Sequence, residues 1–514
     1  MSRLSLQFGE NVLAETNDFY LHITDKDKLS GIPEDILEAA AQKAQQKELE
    51  GWVFTLQITS YLPFMKYADN RELREKMYRA MTTRGNKGNK NDNNQIIKKI
   101  VSLRLERARL LGYTNHAQYV LTERMAKTPE KVNNFLDQML EAAMPAAQKD
   151  VKEVEEYARK RGFEDQLQRW DFAYYSEKLK TESFDISDEM TRPYFKLEKV
   201  KEGIFELTGD LYGLSYQRNT DIPVYHEEVE AWEVYDKDNS FLAVLYLDFF
   251  PRDSKQGGAW MTGYREQHKE NGKNICPQIS VVTNVTRPTS TKPSLLTYSE
   301  FTTFLHEFGH ALHGMLSNVS YETMAGTSVY RDFVELPSQL MENWARQKEW
   351  LQIVGKHYKT GAPIPDEMVD KIVAADNFQS GYTTVRQVSF GMNDMAWHTI
   401  ENPVEQEVEQ FEKEAMGPTE LFPDVKGSCM STAFGHIFDG GYSAGYYGYK
   451  WAEVLDADAF ELFKQNGIFD QDTARSFREN ILEKGGTKDP MELYVAFRGQ
   501  EPSIEPLLER SGLK

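Results

Sequence analysis

Cysteine is scarce in this sequence: 514 residues hold only Cys276 and Cys429, in unrelated contexts. A framework of several disulfides is excluded, and a reducing compartment, the cytoplasm, is the setting the chain fits. Also missing is any apolar run long enough to cross a bilayer. The most apolar stretch, Phe241 to Phe250, is about half of what a membrane helix needs. Met1 to Glu10 contains no apolar run of signal-peptide length. Basic residues are outnumbered, 60 against 80 acidic, for a formal charge of -20. No basic stripe interrupts that surplus, which argues against a nucleic-acid partner, because phosphate binding needs a concentrated cationic face. There is no repeat of constant period and no biased tract. What is present is the composition of a soluble protein, 40% hydrophobic and 27% charged. The length suffices for two or three lobes, or for one large enzyme unit.

The first 230 residues read mainly as helices. Pro33-Glu34-Asp35 opens a run rich in Ala, Glu, Gln and Lys, and further helical patterns follow near 70–83, 94–111 and 129–161. The polar segment Gly85 to Asn94 is a loop. Near Ala231 the texture changes. Ala231 to Tyr235 and Phe241 to Phe250, rich in aromatic and β-branched residues and separated by Asp236 to Ser240, predict a hairpin. Ile279 to Val285 is a further strand candidate. Thr297-Tyr-Ser-Glu300 then has the capping-box form that opens a helix. From there the pattern is helical to the end. The expected organisation is a mainly helical lobe over 1–230, followed over 231–514 by a catalytic region with a small sheet, metal helices and a helical C-terminal part.

His306-Glu-Phe-Gly-His310 lies inside the helix that Thr297 opens. Residues four apart on a helix are separated by about 40° in azimuth and about 6 Å in rise, so both imidazoles can reach one tetrahedral ion. Glu307 beside them can take a proton from a water at that ion, the division of labour that metal-assisted hydrolysis requires. Gly309 inside the motif costs the helix about 1 kcal/mol relative to Ala, which implies a close approach by another element. His313, one turn further on, reads as a neighbour and not a ligand.

A catalytic zinc takes a third protein ligand, usually from another element. Arg331-Asp-Phe-Val-Glu-Leu-Pro-Ser-Gln-Leu-Met-Glu-Asn-Trp344 supplies candidates, and spacing alone leaves both Asp332 and Glu335 open. Downstream, Phe434-Gly-His-Ile-Phe-Asp-Gly-Gly-Tyr-Ser-Ala-Gly-Tyr-Tyr-Gly-Tyr-Lys-Trp451 places Tyr442, Tyr446 and Tyr449 at i, i+4 and i+7. That spacing reads as one face of a helix, an aromatic stripe.

The words His306-Glu-Phe-Gly-His-Ala-Leu-His313, Ala325-Gly-Thr327 and Arg331-Asp-Phe-Val-Glu-Leu-Pro-Ser-Gln339 resemble the thimet oligopeptidase family of zinc peptidases. The block from Phe434 to Trp451 is similar to that family's Gly-rich loop and following helix. Within the family the likeness leans to the dipeptidyl carboxypeptidase branch, on Ile437-Phe438 and Arg498-Gly-x-x-Pro502, although Glu335 to Trp344 is as similar to oligopeptidase A. The resemblance implies a mainly α, zincin-like oligopeptidase fold with two helical lobes around a deep channel. It implies one Zn²⁺ per chain on His306, His310 and Glu335, with Glu307 as the base. His436, Tyr442 and Tyr449 would line the cleft and steady the oxyanion, while Tyr446 would simply pack. Family members carry a further amino-terminal stretch before the point where this chain begins, so part of one lobe wall, and any upstream signal, are expected to be missing.

The function so implied is hydrolysis of short, unstructured peptides by a cytoplasmic monomer, with dipeptides released from the free carboxyl end. Endo-acting oligopeptidase activity is the alternative. A zinc-stabilised peptide-binding protein without catalysis is a third reading, against which Glu307 argues. The strand Ile279 to Val285 and the loop Ala325 to Thr327 are expected to pair with substrate backbone. Arg287, Arg331 and Lys450 are the cations nearest the motifs that could hold a terminal carboxylate.

Overall fold

The structure, a computed structural model, describes residues 1–512. In chain order, the elements that position the functional residues are α1 (Ile58–Tyr67), α2 (Asn94–Leu110) and α3 (Pro129–Lys160). Strands β1 (Ser215–Arg218), β2 (Glu230–Tyr235), β3 (Phe241–Asp248), β4 (Trp260–Arg265) and β5 (Gln278–Val282) follow. After them come α4 (Tyr298–Met315), α5 (Leu336–Glu342), α6 (Ser380–His398) and α7 (Gly448–Asn466). The helix starts have local causes. The Thr128 side chain accepts from Lys131 N ahead of Pro129, which needs no donor partner in the first turn. Thr297 and Glu300 form the reciprocal capping box at the start of α4.

The chain gathers into two compact units, each described by itself. The first comprises 1–185 and 377–450. Its later segment joins the earlier one because α6 lies along α3. A Cβ on Gly381 of α6 would stand 2.5 Å from Ala147 N, so glycine permits the contact, and Val385 packs with Ala143 and Ala147. A second core joins Ile97, Ile100 and Val101 of α2 to Trp397, Phe434, Ile437, Phe438 and Tyr446.

The second unit comprises 186–376 and 451–512. The division expected at 230 therefore falls inside it. The change of texture at Ala231 marks where a sheet begins, whereas the unit around that sheet already starts at Ile186. The sheet has five strands in the order β1-β2-β3-β5-β4. The expected hairpin is present, with Tyr235 opposite Phe241. β3 and β5 run parallel, the other neighbours antiparallel. β1 and β4 escaped the sequence reading, being short strands without clean alternation. Helix α4 packs on this sheet: a Cβ on Gly314 would meet Ile279 Cδ1 of β5 at 2.9 Å and Met261 Cε of β4 at 3.4 Å. Among the described residues no helix is long and apolar enough to cross a membrane.

Candidate metal centre

His306 and His310 sit one turn apart in α4, and both turn their Nε2 atoms toward Glu335. Each Nε2 lies 3.1 Å from Glu335 Oε2. One ligand atom from each of the three residues lies within 4.8 Å of the other two. Two atoms bound tetrahedrally at about 2.0–2.1 Å from zinc stand about 3.3 Å apart, so this donor set fits the ion with little adjustment. Two imidazole nitrogens and one carboxylate oxygen are also the donor chemistry of a three-ligand catalytic zinc. Glu335 immediately precedes α5 and is fully buried. Burial works against its charge, but His310 and the hydrogen bonds from both histidines outweigh it and hold the carboxyl well below its ordinary value. Ser338 Oγ donates to Glu335 Oε2 at 2.9 Å and fixes the carboxylate from its own helix.

The close approach expected at Gly309 is the contact between α4 and α5. A Cβ there would stand 2.5 Å from Pro337 O and 2.5 Å from Ser338 Cα, closer than packed atoms allow. Glycine thus lets the backbone that delivers Glu335 come down onto the helix that carries both histidines.

Glu342, which the sequence reading did not single out, accepts a hydrogen bond from His306 Nδ1 at 2.6 Å. A carboxylate can only accept here, so Nδ1 carries a proton, and it is Nε2, the nitrogen facing Glu335, that would give its lone pair to an ion. The signal that could have found it is the spacing from Glu335, since seven residues make almost two helical turns and place both carboxylates on one side of α5. Among the described residues His310 Nδ1 has no hydrogen-bond partner, so the two imidazoles are held differently. Glu307 is buried, and its Oε2 has no hydrogen-bond partner among the described residues. Burial, reinforced by Glu335 and Glu342, raises its pKa against the opposing pull of His306 and His310. That is the direction a general base needs in order to work near neutrality. His313 is fully buried, outside the ligand group, and its pKa is pushed down to about 3 by burial and then by His310.

His436, Tyr442 and Tyr449 belong to the first unit. The expectation that Tyr442, Tyr446 and Tyr449 share a helical face does not hold. Residues 435–438 form one short helical turn, residues 443–447 are turns, and α7 begins only at Gly448. Gly441 and Ala444 adopt positive φ, 83° and 51°, which no helix tolerates. The rings nevertheless gather. Tyr442 and Tyr449 stack at 5.2 Å with 12° between planes, and His436 stands edge-on to them at 6.0 and 6.1 Å.

A buried clamp holds this loop. Asp394 of α6 accepts from the backbone N–H groups of Ala444, Gly445 and Tyr446 at 2.8, 2.8 and 2.9 Å. Its Oδ1 also faces His398 Nδ1 at 2.8 Å. Arg104 of α2 donates to His398 Nε2 at 2.8 Å and to Ile437 O at 2.7 Å. A guanidinium only donates, so His398 Nε2 accepts and Nδ1–H points to Asp394. The imidazole is neutral, in keeping with a pKa lowered by burial against the pull of Asp394.

Two further expectations change. Residues 279–282 of the proposed substrate strand are bonded on one side to β3 and on the other to β4, so their backbone has no free edge. Arg287 is engaged by both Glu228 oxygens and by Pro251 O, which leaves no open fork for a terminal carboxylate.

The model of Peptidase family M3 matches residues 64–513. Oligopeptidase A of Salmonella typhimurium is 42% identical over 522 aligned residues, which cover 100% of this chain and 77% of that protein. Dipeptidyl carboxypeptidase of Escherichia coli is 37% identical, covering 99% of this chain and 75% of its own length. The solved structure of PZ peptidase A with an inhibitor superposes with a TM-score of 0.59 at 16% identity, over 99% of this chain and 74% of that one, and shows the same fold. The chain belongs to peptidase family M3.

Proposed function

We propose that this peptidase cleaves short unstructured peptides using one Zn²⁺ held by His306, His310 and Glu335, and that it releases dipeptides from a free carboxyl end. The observation that carries the zinc reading is the convergence of three donor atoms, one of them on the fully buried Glu335, beside a carboxylate, Glu307, whose Oε2 has no hydrogen-bond partner among the described residues. When bound, the ion polarises the peptide carbonyl and acidifies water. Glu307 accepts a proton from the attacking water and returns it to the leaving amine. Tyr449, with His436 or Tyr442, donates to the carbonyl oxygen as it becomes an oxyanion. Their roles rest on the likeness of the 434–451 block to the family's loop. A substrate strand adds to β4, the edge strand beside β5, since β5 itself is flanked on both sides. The two cysteines are free, which suits a cytoplasmic protein acting as a monomer.

Internal cleavage has its own support, because identity to oligopeptidase A, 42%, exceeds that to dipeptidyl carboxypeptidase, 37%. Mass spectrometry of the products from one peptide, free or amidated at its C-terminus, separates the two. Dipeptides from the free peptide alone establish the first reading. Equal internal cuts in both replace it with the second.

A further inference from the structure

Helix α5 has seven residues, just under two turns, and Glu342 is the last of them. A helix this short holds its shape through its neighbours, and its last turn is where fraying starts. The Glu342 side chain is 33% exposed, so water competes for it. Its hold on His306 Nδ1 therefore depends on where the backbone of that last turn is kept. The first turn of α5 is fixed by the contact of Pro337 and Ser338 with Gly309. The last turn is fixed by a separate device, which begins at the next residue in the chain.

Asn343 Nδ2 donates to Gln339 O and Leu340 O, both at 3.1 Å, and so serves carbonyls that a helix end leaves without an intrahelical partner. The same nitrogen donates to Asp456 Oδ1 of α7 at 2.6 Å. Arg510, on the short helix α8 (Glu505–Arg510), closes the network. Its Nη1 donates to Asp456 Oδ1 at 2.7 Å and its Nη2 to Asp456 Oδ2 at 2.9 Å, the two-pronged match of guanidinium and carboxylate. Nη1 also donates to Asn343 Oδ1 at 3.0 Å. A guanidinium only donates and a carboxylate only accepts. The Asn343 amide thus has one workable orientation, oxygen toward Arg510 and nitrogen toward Asp456 and the helix carbonyls. Asn343 and Asp456 are buried, and every residue of the network belongs to the second unit. Beside it the fully buried Trp344 donates through Nε1 to Ile468 O at 3.1 Å and meets Phe460 and Phe463 edge-on at 5.1 and 5.3 Å.

We infer that Arg510 is a positioning residue of the metal centre: through Asp456 and Asn343 it keeps the end of α5 where Glu342 meets His306 Nδ1. The inference rests on the zinc reading of His306, His310 and Glu335. It makes α5 a carrier of one ligand at its start and of another ligand's partner at its end, each end pinned separately. Without Arg510 the Asn343 oxygen loses the donor that fixes the amide, and the grip on the Gln339 and Leu340 carbonyls loosens with it.

A double-mutant cycle tests this. Zinc affinity of the full chain is measured by competition with a chelator for the parent, Arg510→Gln, Glu342→Ala and the double variant, with melting temperatures recorded alongside. Arg510→Gln weakens zinc binding by about 3- to 10-fold, less than the about 10- to 100-fold lost with the histidine's own partner. In the Glu342→Ala background the same substitution changes zinc affinity less than about twofold, because the contact it acts through is already gone. Arg510→Lys keeps the charge without the two-pronged contact and shows a smaller loss of the same kind. It carries the cycle if Arg510→Gln does not fold. Zinc affinity equal to the parent's in the Arg510 variants overturns the inference. So does an equal loss with and without Glu342, which makes Arg510 a stabiliser of the unit at large. A parent that binds no zinc overturns the zinc reading and the inference together, whereas a parent with one zinc and either of those two results overturns the inference alone.

Discussion

The Glu342 carboxylate holds the His306 ring with its Nε2 toward Glu335, through a 2.6 Å bond at the far nitrogen. Removing such a partner typically weakens metal binding by about 10- to 100-fold. Glu342→Ala should therefore lower zinc affinity by that factor, and Glu342→Gln, which keeps an acceptor, by less. Competition against a chelator reads both, and affinities equal to the parent's would contradict the assignment. At this scale the sequence was uneven in what it disclosed. His306, Glu307 and His310 were legible because one helical turn fixes their geometry locally. Glu335 could be chosen over Asp332 only through family likeness, since carboxylates are common and spacing separates these two poorly. Glu342 was not singled out because its contact reaches 36 residues back along the chain.

Two pairings, one of helix with helix and one of helix with loop, carry the site residues, and each depends on a particular close contact. Between α4 and α5 the contact is at Gly309. Gly309→Ala places a methyl 2.5 Å from the backbone of Pro337 and Ser338, and overpacking of this kind costs about 1–3 kcal/mol. The expected result is a lower melting temperature together with weaker zinc binding, because α5 must retreat with Glu335 at its start. Loss of stability without loss of zinc affinity would show that α5 does not set the ligand. Between α6 and the Gly-rich loop the contact is Asp394. Asp394→Ala strands three backbone N–H groups and a histidine, and each unsatisfied buried donor costs about 1–3 kcal/mol. The variant should keep its zinc, lose most of its kcat, and be cut by added protease within 436–446. Retained kcat would mean that the loop's shape does not matter to turnover. A glycine out of place in a helix gave Gly309 away in the sequence. Asp394 gave no sign of the clamp, because the loop groups it holds lie 50 or more residues ahead and are backbone groups without a side-chain signature.

For the whole chain, helix content, the central hairpin and the capping box at Thr297 follow from local pattern, and these were legible. The assignment of segments to compact units was not. An amphipathic helix announces that it has a buried face, not which helix covers it. The return of 377–450 to the first unit through the packing of α6 on α3 therefore left no mark in the sequence, and the texture change at 231 was the misleading cue. The activity of the whole depends on one claim, that a single zinc at His306, His310 and Glu335 and the Glu307 base perform the cleavage. The direct measurement is a zinc titration of metal-depleted protein, following both bound zinc and release of a peptide product. The account predicts that activity rises linearly and breaks at one zinc per chain. It predicts that Glu335→Ala shows no such break and that Glu307→Gln binds one zinc with almost no turnover. Cleavage that persists in the fully zinc-free protein, or normal turnover by zinc-loaded Glu307→Gln, would contradict it.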